Sequence, residues 1–370
     1  MKGKILIALF IITLIPAMSF AGTKEELPTP TAEKEFQWWP FKVYAHTEEG
    51  TKLVDYVPLE KVSKKWKIAG LFPHMKDKTW IAANWALVQE AKRHGIEFVQ
   101  YEAGGYENLS TQISQYDDLM AMGIDAVVWG PISPDGVAGK VKEGHSKGIV
   151  NTASLNEVQE KHGFDGKCVA NYTDMAAAGV EAALDYYKDR DKVRVIILPG
   201  PAGSGWAEWM ASEFRNGLEK KAPGKFIFLD EKYGDTGKSV QLRLTEDAFQ
   251  TYSDIDLIYG CAPAAEVAVQ YIREIGRQGK TQVIMEYENP DLLKFVRSGD
   301  IICMPNTVTP VQAAIAFDLA IRVLENKVPS FGTMLNNVPL SFTPANIDEQ
   351  VRALSLSFAP EDYRPIFKVE

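Results

Sequence analysis

The stretch Trp66-Lys67-Ile68-Ala69-Gly70-Leu71-Phe72-Pro73-His74-Met75-Lys76-Asp77-Lys78-Thr79-Trp80, running on through Ile81–His94 to Ile96-Glu97-Phe98-Val99-Gln100-Tyr101, decides the fold. An apolar run of strand length at Lys67–Phe72 is followed by a turn at Pro73 and a helical pattern over 78–94. A second apolar run at Ile96–Tyr101 completes one β-α-β unit. Strand-like runs at Asp125–Trp129 and Gly148–Thr152, with helical stretches near 107–122 and 134–147, continue the alternation. Such a series calls for a parallel sheet with helices on both faces.

Beyond a loop at 153–170 the pattern repeats. Strands are expected at Val193–Leu198, Lys225–Asp230, Ile255–Tyr259 and Gln282–Tyr287, with helices near 174–190, 205–221, 237–251, 264–276 and 289–298. A strand at Ile301–Met304, a helix at Val311–Glu325 and extended chain at Leu335–Pro344 close the series. The fold class is therefore α/β, with two hinged lobes that each hold a doubly wound parallel sheet. We expect residues 66–153 and 305–330 in the first lobe, 154–304 in the second, and 331–370 as a C-terminal return segment.

Upstream, two alternating stretches at Phe41–His46 and Lys52–Pro58 flank Glu48-Glu49-Gly50, the pattern of a β-hairpin arm within 22–65. Wrapping of the first lobe and docking of a partner are both open for this arm. Lys2 and Lys4 precede an apolar run from Ile5 to Met18, and Ser19-Phe20-Ala21 offers a small-residue cleavage site. Residues 1–21 read as a secretory signal peptide, because the run is short of the roughly 20 residues a bilayer span needs. The expected product is an exported periplasmic protein, not embedded in the membrane after cleavage.

Composition narrows the function. The chain has 370 residues, 46% hydrophobic and 24% charged, which suits a folded two-domain protein and excludes collagen-like, coiled-coil and disordered classes. A net charge of -9 argues against nucleic acid as a partner. Cys168, Cys261 and Cys303 form no metal-binding spacing and read as buried apolar residues. Asp235-Thr236-Gly237-Lys238-Ser239 ends like a phosphate-binding loop, but Lys232 stands where the first glycine belongs. Gly200–Gly205 opens a helix like a dinucleotide turn without the G-x-G-x-x-G frame, and the five histidines make no helical metal spacing. Neither an enzyme, a metal site nor a cofactor is expected.

The aromatics give the positive signal. Ligands of open α/β sheets bind beyond the carboxyl ends of the strands. There the chain places Trp80, Tyr106 and Trp129 in the first series, and Trp206 and Tyr287 in the second. Facing rings make a pocket for a small cationic or methyl-rich ligand, and Asp77 is placed to complement a positive nitrogen. The plainer alternative keeps Trp129 and Tyr287 partly in the core and packs Trp206 on its own helix. Asn84, Asn151 and Asn171 leave a sugar site open.

The two-lobe order, with a late return of the chain near Pro305–Thr309, resembles the type I periplasmic binding proteins, the ribose-binding group. Leu71–Trp80 and Glu102-Ala103-Gly104-Gly105-Tyr106 resemble more narrowly the members that sense trimethylamine N-oxide with a membrane sensor histidine kinase. Leu198-Pro199-Gly200-Pro201, Phe214-Arg215, Ala264-Ala265-Glu266 and Tyr363-Arg364-Pro365 extend the likeness from Trp66 to Pro365. The resemblance implies an aromatic box between the lobes, with Asp77, Trp80, Tyr106 and Tyr287 on the matching positions. A tryptophan of those relatives is replaced within Asn171–Met175. Tyr172 is the nearest substitute, and Trp129 is a second source of the missing ring. A transport subunit that binds a sugar or an amine is the rival function.

Overall fold

The computed structural model describes residues 36–370; the expected signal peptide and the start of the lead-in lie outside the described residues. Nine strands form the first sheet. In chain order they are β1 (Phe41–Thr47), β2 (Gly50–Tyr56), β3 (Lys67–Phe72), β4 (Glu97–Glu102), β5 (Ala126–Trp129), β6 (Val150–Leu155), β7 (Gly166–Val169), β13 (Met334–Asn337) and β15 (Lys368–Val369). Six form the second: β8 (Val193–Leu198), β9 (Phe226–Glu231), β10 (Leu257–Gly260), β11 (Gln282–Met285), β12 (Ile301–Asn306) and β14 (Leu340–Phe342). Their spatial orders are β15-β4-β3-β5-β6-β7-β13-β1-β2 and β14-β12-β11-β10-β8-β9. Pairing is parallel except where β1, β2, β14 and β15 join antiparallel.

Ten helices cover the two sheets. They are α1 (Lys78–His94), α2 (Leu109–Ala121), α3 (Pro134–Ser146), α4 (Tyr172–Tyr186), α5 (Trp206–Lys221), α6 (Lys238–Thr251), α7 (Ala262–Glu274), α8 (Leu293–Arg297), α9 (Thr309–Leu324) and α10 (Val351–Ser357). In the first lobe α1 and α9 cover one face, over Ile68, Ala126 and Val128, while α2 and α3 cover Leu71, Val127 and Trp129 on the other. In the second lobe α4 and α5 lie over Val195, Ile197 and Tyr259, and α6 and α7 over Ile196, Leu198 and Ile258. The central strands of both sheets are thus buried on both faces, which is why they read as continuous apolar runs, whereas β1 and β2 at one edge do not. The two α/β lobes are the fold class expected from the sequence.

Three differences from that expectation matter. The first sheet takes Gly166–Val169 as a further strand, so the chain leaves it after Val169 rather than at 154. Four residues between loops are too few for a periodic signal; their place is fixed by β6 on one side and β13 on the other. The N-terminal hairpin goes further than lying against the first lobe, since β1 pairs with β13 and extends the first sheet. Trp38 and Tyr56 anchor it, fully buried, donating to Glu90 (2.8 Å) and Asp318 (2.7 Å) respectively. The return segment supplies strands to both sheets, β13 and β15 to the first and β14 to the second.

The chain passes between the sheets from β7 to α4, from β12 to α9 and from β13 to β14. At the second passage Val308 adopts φ 51° and ψ 53°, a left-handed conformation that β-branched residues rarely take. A buried carboxylate holds it there. Glu288 accepts from Thr307 N (2.8 Å), Thr307 Oγ1 (2.9 Å) and Thr309 N (3.0 Å). Cys168 lies in the first sheet, Cys303 in the second and Cys261 just past β10; all three are free and buried.

Candidate functional site

The site is built from strand ends and the turns that follow them. Asp77 caps α1: its Oδ1 accepts from Trp80 N at 3.1 Å, and Lys92, Arg93 and His94 complement the helix dipole at the far end. The cap fixes the first turn and sets Trp80 over the cleft. Trp80 rests against Phe72, ring centroids 4.8 Å apart, and against Gly130, where a Cβ atom would come within 2.2 Å of the indole. In the second lobe Gly200, at φ 115°, does the same for Trp206, whose ring a Cβ would meet at 2.6 Å. Each tryptophan therefore needs a glycine at a strand end, Gly130 after the neighbouring β5 for Trp80 and Gly200 after β8 itself for Trp206.

Between the lobes these rings enclose a cavity of about 50 Å³, walled by Asp77, Trp80, Tyr106, Tyr172, Trp206 and Tyr287. Trp206 stands between Tyr106 (centroids 6.1 Å) and Tyr287 (5.8 Å). Met175 and Met210 add polarizable apolar surface, and Asn156, Thr236, Thr307, Thr309 and Gln312 bring polar groups. One water needs about 10–15 Å³ on this measure, so the space suits a few heavy atoms rather than a hexose. Among the described residues, Asp77 is the sole charged side chain lining it. Burial raises the Asp77 pKa, against the pull of His74 and of the Trp80 and Thr79 backbone N–H groups. Burial likewise raises the pKa values of Tyr106, Tyr172 and Tyr287, so these rings stay neutral phenols.

Polar contacts close the lobes over the rings. His74, fully buried, accepts from Lys76 N at Nδ1 (3.2 Å), which leaves its proton on Nε2 to donate to Thr236 Oγ1 (2.8 Å). Lys76 pairs with Asp235 (3.2 Å), and Asp235 accepts from Tyr106 N (3.3 Å). Asp235 and Thr236, which in sequence imitate the end of a phosphate loop, are the second lobe's half of this latch.

Six of the seven residues expected from sequence come together; Trp129 does not. It is fully buried on the opposite face of its strand, packed on Tyr116 (4.6 Å) and donating to Asn151 (2.9 Å). The two-residue alternation of a strand sends Trp129 one way while Gly130 meets Trp80. Tyr172 lines the cavity, and its hydroxyl donates to Leu155 O at 2.6 Å. The three asparagines that left a sugar site open are committed elsewhere. Asn84 holds Tyr363 and Ile366, Asn151 accepts from Trp129 and Tyr116, and Asn171 caps α4. Asn156, which donates to Tyr106 Oη (3.0 Å), was missed because β6 runs to Leu155, three residues past its expected end. Gln312 left no signal in the sequence, since helix periodicity says nothing of which turn borders a cleft, and Thr236 was read only as part of an incomplete phosphate loop.

A family model described as a periplasmic binding protein domain matches residues 68–327. The chain is 26% identical over 350 residues to the periplasmic protein TorT of Escherichia coli K12, covering 92% of this chain and 93% of TorT. It is also similar to a crystallised ABC transporter solute-binding protein of Bradyrhizobium sp. BTAi1 with bound bis-tris. That match has 34% identity and a TM-score of 0.72, over 90% of this chain and 99% of the other. TorT in its complex with the TorS sensor domain and trimethylamine N-oxide shares the fold, with a TM-score of 0.70 at 21% identity over 82% and 100% of the two chains. A match over most of the two-lobed body settles the family: the chain belongs to the periplasmic binding proteins.

Proposed function

We propose that this protein holds a small methylated amine, trimethylamine N-oxide or a close relative, between its lobes and reports it to a TorS-like sensor histidine kinase ectodomain. The observation that carries the reading is the cavity, in which five aromatic rings and a single carboxylate surround space for a few heavy atoms. Ring faces attract a cation by about 0.5–2 kcal/mol each when desolvated, and Asp77 supplies the complementary charge. Neutral phenols and no lining lysine or arginine disfavour anions. The protein is read as a binder, without catalysis or cofactor, exported by the signal peptide and free in the periplasm. Closure follows from tighter ligand binding to one arrangement of the lobes, and the kinase reads the resulting surface.

Titration calorimetry of the mature protein with trimethylamine N-oxide, with trimethylamine and ribose as controls, tests the ligand class. Saturable binding of the amines and none of ribose is expected; binding of ribose alone overturns the reading. Asp77→Asn should weaken amine binding by at least tenfold, about 1.4 kcal/mol, and unchanged affinity removes Asp77 from the site.

A second reading is a binding subunit of an ABC transporter, favoured by the higher identity to the Bradyrhizobium protein than to TorT. Deletion separates them: lost uptake supports transport, whereas a lost transcriptional response with intact uptake supports sensing.

A further inference from the structure

Two residues that line the cavity carry a buried polar atom with no partner among the described residues. Trp206 is 6% exposed and its indole Nε1–H makes no well-formed hydrogen bond, the neighbouring Tyr106 hydroxyl being engaged with Asn156; Gln312 is 1% exposed and its Oε1 accepts nothing. Leaving either unpaired at such burial is costly. Their senses are opposite and fixed. An indole nitrogen only donates. Gln312 Nε2 is committed to Thr307 O at 2.8 Å, so rotating the amide would set oxygen against oxygen and the free atom is the acceptor. Thr307 O also receives Asn337 Nδ2, so that hinge carbonyl is saturated and Gln312 has no second use there.

We infer that the ligand carries one small head group of both hydrogen-bond senses beside its cationic nitrogen, accepting from Trp206 Nε1–H and donating to Gln312 Oε1. A hydroxyl meets both demands. The substrate class is then a hydroxylated methylammonium, and Gln312 is the residue that sets it. Trimethylamine N-oxide accepts but has no hydrogen to donate, so it serves Trp206 and leaves Gln312 unpaired. Tetramethylammonium serves neither. Because Gln312 also holds the carbonyl preceding Val308, its occupant is coupled to the hinge. This inference rests on the methylated-amine reading and narrows it.

The test is calorimetry of the mature protein with N,N-dimethylethanolamine, trimethylamine N-oxide and tetramethylammonium, repeated on Gln312→Met and Trp206→Phe. Dimethylethanolamine should bind tightest to the wild type and tetramethylammonium weakest. Gln312→Met should cost dimethylethanolamine about tenfold more than it costs trimethylamine N-oxide or tetramethylammonium. Trp206→Phe should weaken dimethylethanolamine and trimethylamine N-oxide by a larger factor than tetramethylammonium, which loses only the difference between two ring faces. A wild type that prefers trimethylamine N-oxide over dimethylethanolamine overturns the inference but leaves the amine reading standing. A Gln312→Met variant that weakens all three equally does so too, by showing a purely structural role. No binding of any of the three, with circular dichroism showing a folded protein, overturns both.

Discussion

Glu286 and Glu288 lie two residues apart after β11, both almost fully buried, and the protein treats them in opposite ways. Glu288 faces the hinge, where three donors from Thr307 and Thr309 surround its carboxylate. Glu286 lies inside the second lobe with neither oxygen partnered, and burial alone drives its pKa well above the ordinary value. Between them Tyr287 lines the cavity. A buried acid is therefore no single kind of object: one is a clamp surrounded by donors, the other a group without partners that folding tolerates by keeping it neutral.

Glu288→Ala should break the contrast most severely. It strands two buried backbone N–H groups and weakens the support of a hydroxyl, for about 3–5 kcal/mol and a fall of roughly 5 °C in Tm, read by calorimetric scanning. A fall of only a degree or two means the hinge holds without its clamp.

Glu286→Gln should act in the other direction. A folded-state pKa above the unfolded value means that the carboxyl contributes fully below the unfolded pKa, and that stability is lost as pH rises through the raised one. The glutamine variant should match wild type near pH 4 and gain on it toward pH 8, by about 1–3 kcal/mol. Melting curves across that range check this, and an offset independent of pH refutes the assignment to charge.

The smallest effect is expected at Val308→Gly. The left-handed backbone costs a valine about 1–2 kcal/mol, which glycine relieves while losing buried contacts and gaining freedom when unfolded. Stability should stay within about 1 kcal/mol of wild type. A loss as large as that of Glu288→Ala assigns the hinge to the Val308 side chain instead of to its backbone.

How far the sequence carries can be judged from particular residues. Helix α1 was legible to the residue because Asp77, the apolar spacing and Gly95 are all local signals. The strands of both lobes were legible as apolar runs. Strand β7 was not, because its pairing partners β6 and β13 lie far apart along the chain from each other. The same division runs through the site. Asp77, Trp80, Tyr106, Trp206 and Tyr287 follow strand ends, so a general rule about open sheets found them. Trp129 obeyed that rule and still faced away, since one residue of strand register reverses a side chain. Gln312 and the Glu288 clamp depend on which segments meet at the lobe passages, which no local pattern encodes.

The free cysteines offer a kinetic instrument. Cys168 reports on the first sheet and Cys303 on the second, and burial pushes the Cys303 thiol up to about 12 and the other two upward as well. Such thiols react with an alkylating reagent only when the surrounding structure opens. Labelling rates resolved by peptide mass would time the unfolding of each lobe separately. A bound ligand that slows both clocks equally ties the lobes into one cooperative unit, whereas slowing of one alone would show which lobe yields first.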